Sequence, residues 1–175
     1  MTHPPFPILT TARLTLRQVS LNDAEHIFAL RSDPAVNQYL DRQPSTSIDD
    51  AILFINRVTE NINSQEALYW AVTLTENNTF AGTIGLFGFT AEQSCEMGYE
   101  LLTPFQGKGI MKEAAAGVIT YAFQTLQVQA IEAFTHKNNQ PSVHLLTQLG
   151  FHPSTDPDKM EPDVAVYILD NNQHF

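Results

Sequence analysis

The sequence predicts an α/β fold, on three observations. A strand-like alternation opens the chain, strand-like segments fill its middle, and a helix, strand, helix, strand succession closes it. After a proline-rich lead-in, residues 12–19 alternate, with Leu14 and Leu16 on one face and Arg13, Thr15 and Arg17 on the other, the period of a half-buried strand. Ser20 followed by Asp23 is a capping-box-like start, and Leu21, Ala24, Ile27 and Phe28 recur at helical spacing until Asp33-Pro34 stops the run. A short helical piece is expected over 35–40. Ser47 with Asp50 repeats the start signal ahead of Ala51, Ile52, Ile55, Val58 and Ile62, so a second amphipathic helix should run to about Asn63.

From residue 67 to 102 the pattern is ALYWAVTL, a polar TENN turn, TFAGTIGLFGF, a break at TAEQS, then CEMGYELL, which reads as an antiparallel meander. Gly82, Gly85 and Gly88 read as bulges or close-packing positions within it rather than as a nucleotide loop. Residues 110–126 form an alanine-rich helix and 130–136 a strand. Residues 140–149 form a last helix with Pro141 in its first turn and Gly150 as its left-handed cap, and 164–169 the final strand. With no repeat, low-complexity tract or linker, one domain over residues 1–175 is expected.

The 175 residues are 43% hydrophobic, enough for a sizeable core without disulfides or a structural metal. The single cysteine, Cys95, has no intrachain partner and reads as a small hydrophobe, and no Cys/His cluster has zinc-ligand spacing, so no metal is expected. Without a signal-peptide pattern or a bilayer-length apolar run, the reading is a soluble, cytoplasmic protein that does not engage membranes. A formal charge of −10 argues against nucleic-acid binding, which needs clustered cations, and favours amine or cationic partners. No Lys or Arg lies between Arg57 and Lys108, after which Lys108, Lys112 and Lys137 leave room for a local anion site.

The most informative stretch is Glu100-Leu-Leu-Thr-Pro-Phe-Gln-Gly-Lys-Gly-Ile-Met-Lys-Glu, where a strand ends, two glycines flank one residue and a helix starts at once. Small residues at a helix N-terminus let several N–H groups converge on an anion, and the positive end of the helix adds to the attraction. Gly107-Lys108 is followed by Gly109 rather than Ser or Thr, which excludes a Walker A loop, and the third glycine of a dinucleotide fingerprint is missing.

Gln106-Gly107-Lys108-Gly109-Ile110-Met111 resembles the acetyl-CoA signature Gln/Arg-x-x-Gly-x-Gly/Ala of the GNAT superfamily of N-acetyltransferases, departing from it at Met111. The form Gly-Lys-Gly-Ile-Met-x-Glu-Ala is similar to the branch of ribosomal-protein-alanine/serine N-acetyltransferases (RimJ/RimL-type). Thr11-Ala-Arg-Leu-Thr-Leu-Arg, Gly82-Thr-Ile-Gly-Leu, Glu96-Met-Gly-Tyr-Glu-Leu, and Asn139-Gln-Pro-Ser142 leading to Leu149-Gly-Phe151 extend the resemblance over nearly the whole chain. It implies a mostly antiparallel, mixed central sheet with helices on both faces, splayed between the fourth and fifth expected strands at the acetyl-CoA site.

The resemblance further implies that backbone around Tyr99, Leu101 and Leu102 pairs with the pantetheine arm of acetyl-CoA. The amides of Gln106, Gly107, Lys108, Gly109, Ile110 and Met111 would hold the pyrophosphate. Asn139 and Ser142 would lie near the thioester sulfur, Ser142 donating to the leaving thiolate; Asn139 also reads as a helix N-cap and Ser142 as a first-turn residue. The implied reaction moves acetyl from acetyl-CoA to a primary amine, a protein N-terminal α-amine or a small amine. Alternatives are an antibiotic or polyamine acetyltransferase and a non-catalytic acyl-CoA-binding sensor module. A homodimer is left open.

The superfamily position often held by a Glu base is Phe134 here. Glu100 and Glu161 are the leading base candidates, with Glu96, Glu132 and His136 behind them and ordered water as relay. An α-amine, with a pKa of about 7.7–8.0 against about 10.4 for a lysine side chain, demands less of any base.

Overall fold

The computed structural model describes residues 4–173. Its centre is an eight-stranded sheet with strand order β1-β2-β3-β4-β5-β6-β8-β7. The strands are β1 (Leu9–Thr10), β2 (Leu14–Gln18), β3 (Ala67–Leu74), β4 (Phe80–Phe87), β5 (Ser94–Leu101), β6 (Ala130–His136), β7 (His152–Pro153) and β8 (Val164–Asp170). All neighbours pair antiparallel except β5 with β6, which run parallel. Between β2 and β3 lie α1 (Ala24–Ser32), α2 (Pro34–Asn37) and α3 (Ile48–Asn63). Helix α4 (Ile110–Gln124) joins β5 to β6, and α5 (Gln140–Gln148) follows β6.

The strand period sorts side chains between two layers. Leu14, Leu16, Trp70, Val72, Ile84, Leu86, Met97 and Ile131 pack with Ala114, Ala115, Val118 and Ile119 of α4 and Leu146 of α5. On the other face Ala71 and Phe80 meet Ala24 and Ile27 of α1 and Ala51 and Ile55 of α3. Helices therefore cover both faces, as the resemblance implies.

The expected element order is observed, with boundary shifts and two additions. The run after Ser20 begins as a 3-10 turn, Leu21–Asp23, before α1 takes over. Asp23 accepts the Ser20 N–H at 2.9 Å and two bonds from Arg17 at 2.7 and 2.8 Å, so its carboxylate serves both cap and strand. At α3, Asp50 accepts the N–H groups of Thr46 (2.8 Å) and Ser47 (3.3 Å). The added strands β1 and β7 are two residues each, too short for a periodicity signal.

Gly82 sits against the backbone of β5: a Cβ there would meet the Glu100 carbonyl oxygen at 2.2 Å and Leu101 Cα at 2.9 Å. Beside it the β3–β4 register slips, Val72 facing Gly82 but Thr73 facing Phe80, so Ala81 is the extra residue of a bulge. Gly85 lies against the Tyr69 ring and Gly88 turns the chain out of β4. Gly82→Ala should destabilise the protein by about 1–3 kcal/mol, the usual cost of forcing atoms into a packed site. Urea unfolding measures this, and wild-type stability in the variant would contradict the close approach.

Candidate active site

The parallel pair β5–β6 is hydrogen-bonded over three residue pairs, Ser94 with Ala130, Cys95 with Ile131 and Glu96 with Glu132. Beyond Glu96, β5 stays on β4 as far as Leu101 opposite Gly82, while β6 follows β8 to His136 opposite Val164. The two strands part into a wedge that opens toward the C-terminal end of β5. The Ala81 bulge lies at that same end, and bulges sharpen local twist.

A cavity of about 660 Å³ occupies the wedge. Its walls come from both faces of the sheet. Tyr99 packs in the α4 layer and Ser142 belongs to α5, whereas Arg31 of α1 and Phe54 of α3 border the same space from the other side. A passage through a sheet lets two molecules meet end to end without sharing an entrance.

At the open end of the wedge, Thr103–Phe105 forms one 3-10 turn and residues 106–109 lead into α4. Gly107 (φ 72°) and Gly109 (φ 73°) both take the left-handed conformation, which costs an L-residue about 1–2 kcal/mol. Among the described residues no acceptor engages the N–H groups of residues 107–112, the expected state of a helix start without a capping side chain. Gln106 Nε2 instead donates back to the Leu101 carbonyl at 2.9 Å. Met111, the departure from the signature, is buried in the core and leaves the amide row unobstructed. Lys108 and Lys112 are exposed, and Lys137 Nζ donates to the Pro162 carbonyl, away from the loop.

The loop is held from outside. Arg13 donates from Nη1 to the Lys108 carbonyl at 3.1 Å and from Nε to Glu113 at 2.7 Å, and Glu113 also accepts the Arg13 N–H and the Thr11 hydroxyl. Partial burial pushes the Glu113 carboxyl up, but these bonds outweigh it and hold it below the usual carboxylate range.

Inside the wedge the Tyr99 hydroxyl lies 2.7 Å from Ser142 Oγ. Burial pushes the Tyr99 phenol up to about 12 despite that bond, so it stays protonated at neutral pH. Asn139 is the N-cap of α5, its Oδ1 accepting the Ser142 N–H at 3.3 Å, and it also borders the cavity. Phe134 lines the cavity and is 45% exposed. The His136 ring lies 5.4 Å from that of Tyr39 in a tilted arrangement, and its Nδ1 accepts the Asn138 N–H at 3.1 Å.

The carboxylates separate. Glu100 and Glu161 border the cavity; Glu96 and Glu132 do not, because they face each other in the closed part of the wedge, where Lys159 pairs with Glu132. Glu161 is exposed. Glu100 is 12% exposed and ion-paired through Oε1 to Arg42 Nη1. Arg42 is in turn held by Asn37, whose Oδ1 accepts from Nε at 2.7 Å. Arg42 Nη2 and Glu100 Oε2 are buried without a hydrogen-bond partner among the described residues, at a typical cost of about 1–3 kcal/mol for such a group. The Cys95 thiol is buried and pushed up to about 12, by burial first and Glu96 second, which suits the small hydrophobe expected of it.

Residues 13–152 match the family model of the acetyltransferase (GNAT) domain. The chain belongs to the GNAT acetyltransferase family. It is 32% identical over 147 residues to the uncharacterized N-acetyltransferase YoaA of Bacillus subtilis (strain 168), covering 83% of each chain. It is 33% identical over 144 residues to the uncharacterized N-acetyltransferase p20 of Bacillus licheniformis, covering 82% of this chain and 81% of that one. Among solved structures, RimL, a ribosomal L7/L12 α-N-protein acetyltransferase in complex with coenzyme A, shares the fold with a TM-score of 0.83 at 19% identity, over 94% of this chain and 98% of that one. The protein is thus an acetyltransferase with the GNAT fold.

Within this GNAT frame, Arg13 and Glu113 were legible only as members of motifs, not as partners 100 residues apart. The side chains of Arg31, Arg42 and Tyr99 gave no sequence signal, because pairing across elements fixes their roles. Glu113→Gln should weaken the Arg13 tether and cost about 1 kcal/mol at neutral pH. Because the folded carboxyl is depressed, the wild-type advantage is complete above the ordinary carboxylate pKa and disappears as pH falls through the depressed folded value. Urea unfolding of both proteins along a descending pH series measures the difference.

Proposed function

We propose that the protein transfers acetyl from acetyl-CoA to the nitrogen of a primary amine, a protein N-terminal α-amine or a small amine. The observation that carries this reading is a cavity lined from both faces of the sheet at the β5–β6 wedge, together with the amide row of residues 107–112, which follows directly after β5 and has no acceptor among the described residues. A pyrophosphate fits that row, since αL glycines present no side chain and the helix end favours negative charge. The inner edge of β5 near Tyr99, Leu101 and Leu102 faces no strand, which suits the amides of a pantetheine arm. Coenzyme A bound to RimL, a neighbour of the same fold, agrees with acetyl-CoA as cosubstrate.

In this reading the amine nitrogen bonds to the thioester carbonyl carbon, the carbon–sulfur bond breaks, the amine proton leaves and the thiolate is stabilised. The protein's main service is to juxtapose the two reactants. Ser142 donates its hydroxyl hydrogen to the leaving sulfur, and Tyr99, protonated and 2.7 Å away, is a positioning residue that donates to Ser142 Oγ. Asn139 orients the first turn that carries Ser142. Water takes the amine proton: Phe134 replaces the usual carboxylate, His136 Nδ1 is occupied, and Arg42 holds one oxygen of Glu100.

Ser142→Ala should lower kcat on the order of a hundredfold, in the range for loss of a donor to developing charge, and leave the acetyl-CoA dissociation constant nearly intact. Tyr99→Phe should do the same more mildly. Thiol release under saturating acetyl-CoA, with isothermal titration of the cofactor, checks both; wild-type kcat in Ser142→Ala would return that residue to a helix position. If water is the relay, turnover rises with pH in step with the acceptor's own amine pKa, and the profile moves when an acceptor of different pKa is used. Glu100→Gln and Glu161→Gln should then keep most of kcat. A hundredfold loss in either variant, at unchanged cofactor affinity, would name the base instead.

A further inference from the structure

Three groups on the α1/α3 side of the cavity are not used by the reaction just described. The Arg31 guanidinium lies 3.9 Å from the centroid of the Phe54 ring and makes no ion pair or side-chain hydrogen bond among the described residues. Burial and the neighbouring Arg42 both work against its charge. Arg42 meets Glu100 end-on rather than as a fork, which leaves Nη2 as a buried donor and Glu100 Oε2 as a buried acceptor. A guanidinium and a carboxylate normally close such a pair with two parallel bonds. Here Asn37 holds Nε and fixes the arginine in the open arrangement, while Asn37 itself is anchored by donating to the Arg31 carbonyl at 3.0 Å and the Asp33 carbonyl at 2.8 Å.

Arg31, Arg42 and Glu100 all line the same cavity, and of the three only Arg31 offers a guanidinium that no carboxylate holds; Arg42 Nη2 and Glu100 Oε2 are closed off from solvent. A ligand that pairs with Arg31 brings an oxyanion to this wall. Asp41, Glu161 and Asp163 border the cavity as exposed residues, so its rim is acidic while the more buried part of its wall carries the arginines. That polarity disfavours both ends of the charge scale. A polyanion is repelled at the rim, and a polycation meets two arginines within.

We propose that the acceptor of this GNAT site is a small amine that also carries a carboxylate, an amino-acid-like molecule. Arg31 takes the carboxylate, with Arg42 beside it adding to the positive potential of that wall. The inference rests on the acetyl-transfer reading and narrows its acceptor to one chemistry. The cavity, about 660 Å³, lies within the range of small-molecule sites, roughly 300–1,000 Å³.

The test compares matched acceptors that differ only by the carboxylate: L-phenylalanine with phenethylamine, L-tryptophan with tryptamine, L-lysine with cadaverine. Spermidine and peptides with Glu or Gly in second position extend the panel. Thiol release with acetyl-CoA gives kcat/KM, and isothermal titration in the presence of CoA gives acceptor affinity independently of turnover. At least one carboxylate-bearing member should exceed its decarboxylated partner by about tenfold or more, as loss of a bond to a charged group predicts. Arg31→Gln should collapse that ratio toward one, through KM rather than kcat, and Arg31→Lys should restore part of it. Acetyl-CoA affinity shows that each variant is folded. A preference confined to the Glu peptide over the Gly peptide keeps the carboxylate chemistry and moves its source to a peptide side chain. Equal or better use of the decarboxylated amines or spermidine overturns the proposal while acetyl transfer stands. Absence of both acetyl-CoA binding and turnover strikes the acetyl-transfer reading, and titration of the same amine pairs then decides the carboxylate question alone.

Discussion

A parallel strand pair of three rungs is the constraint on which the rest of this structure depends. Strands β5 and β6 stay extended past their last shared rung because each has a continuous antiparallel neighbour on its outer side, β4 for one and β8 for the other. Their inner edges carry backbone groups with no strand opposite, an arrangement a sheet centre tolerates only where water or a ligand can complete the bonds. The opening sits between two well-formed half-sheets, and the α4 layer on one face and the α1/α3 layer on the other keep those halves from closing over it.

The same division of labour recurs at the start of α4. Capping side chains would satisfy the first amides of the helix and remove them from use, and none does so here. Order comes from the far side of the loop, where Arg13 and Glu113 bind a carbonyl and each other rather than the N–H row. The αL glycines serve the same end, turning the chain sharply without a side chain over the amides. Replacing Gly109 by a β-branched residue combines two penalties, one of backbone strain and one of obstruction, so a loss of binding there mixes fold with function. The Arg13 tether separates them, since it lies behind the loop.

Local signals carried most of the fold into the sequence. Capping boxes, the period-2 meander and the glycine-framed loop each depend on residues a few positions apart, and each is found where expected. The loop was legible because a helix N-terminus and its glycines are neighbours in the chain. What stayed hidden depends on distance in sequence. Glu96 and Glu132 remained base candidates behind Glu100 and Glu161, and the parallel register that seals them face to face removes them from the cavity. The two-residue strands β1 and β7 exist through their partners alone. Tyr99 was legible by its backbone, while its hydroxyl gains meaning from α5, which the chain reaches 43 residues later at Ser142.

Charge shows the same separation of scales. A net charge of −10 describes the field an approaching molecule meets at long range and suggests cationic partners. At contact range the relevant groups are few, and screening by solvent is weakest where they are buried. The exposed Asp41, Glu161 and Asp163 continue the acidic surface to the cavity rim, whereas Arg31 and Arg42 reverse it on the α1/α3 wall. The end-on Arg42–Glu100 pair is a weak device for stability, because removing charges from water costs more when their remaining hydrogen-bonding capacity is unused. Both residues line one cavity, and the residue that keeps the pair open, Asn37, is buried and bonded to the backbone of α1. Long-range field and contact-range charge are thus opposite in sign on this wall of the cavity, so an acceptor drawn by one need not be the acceptor held by the other.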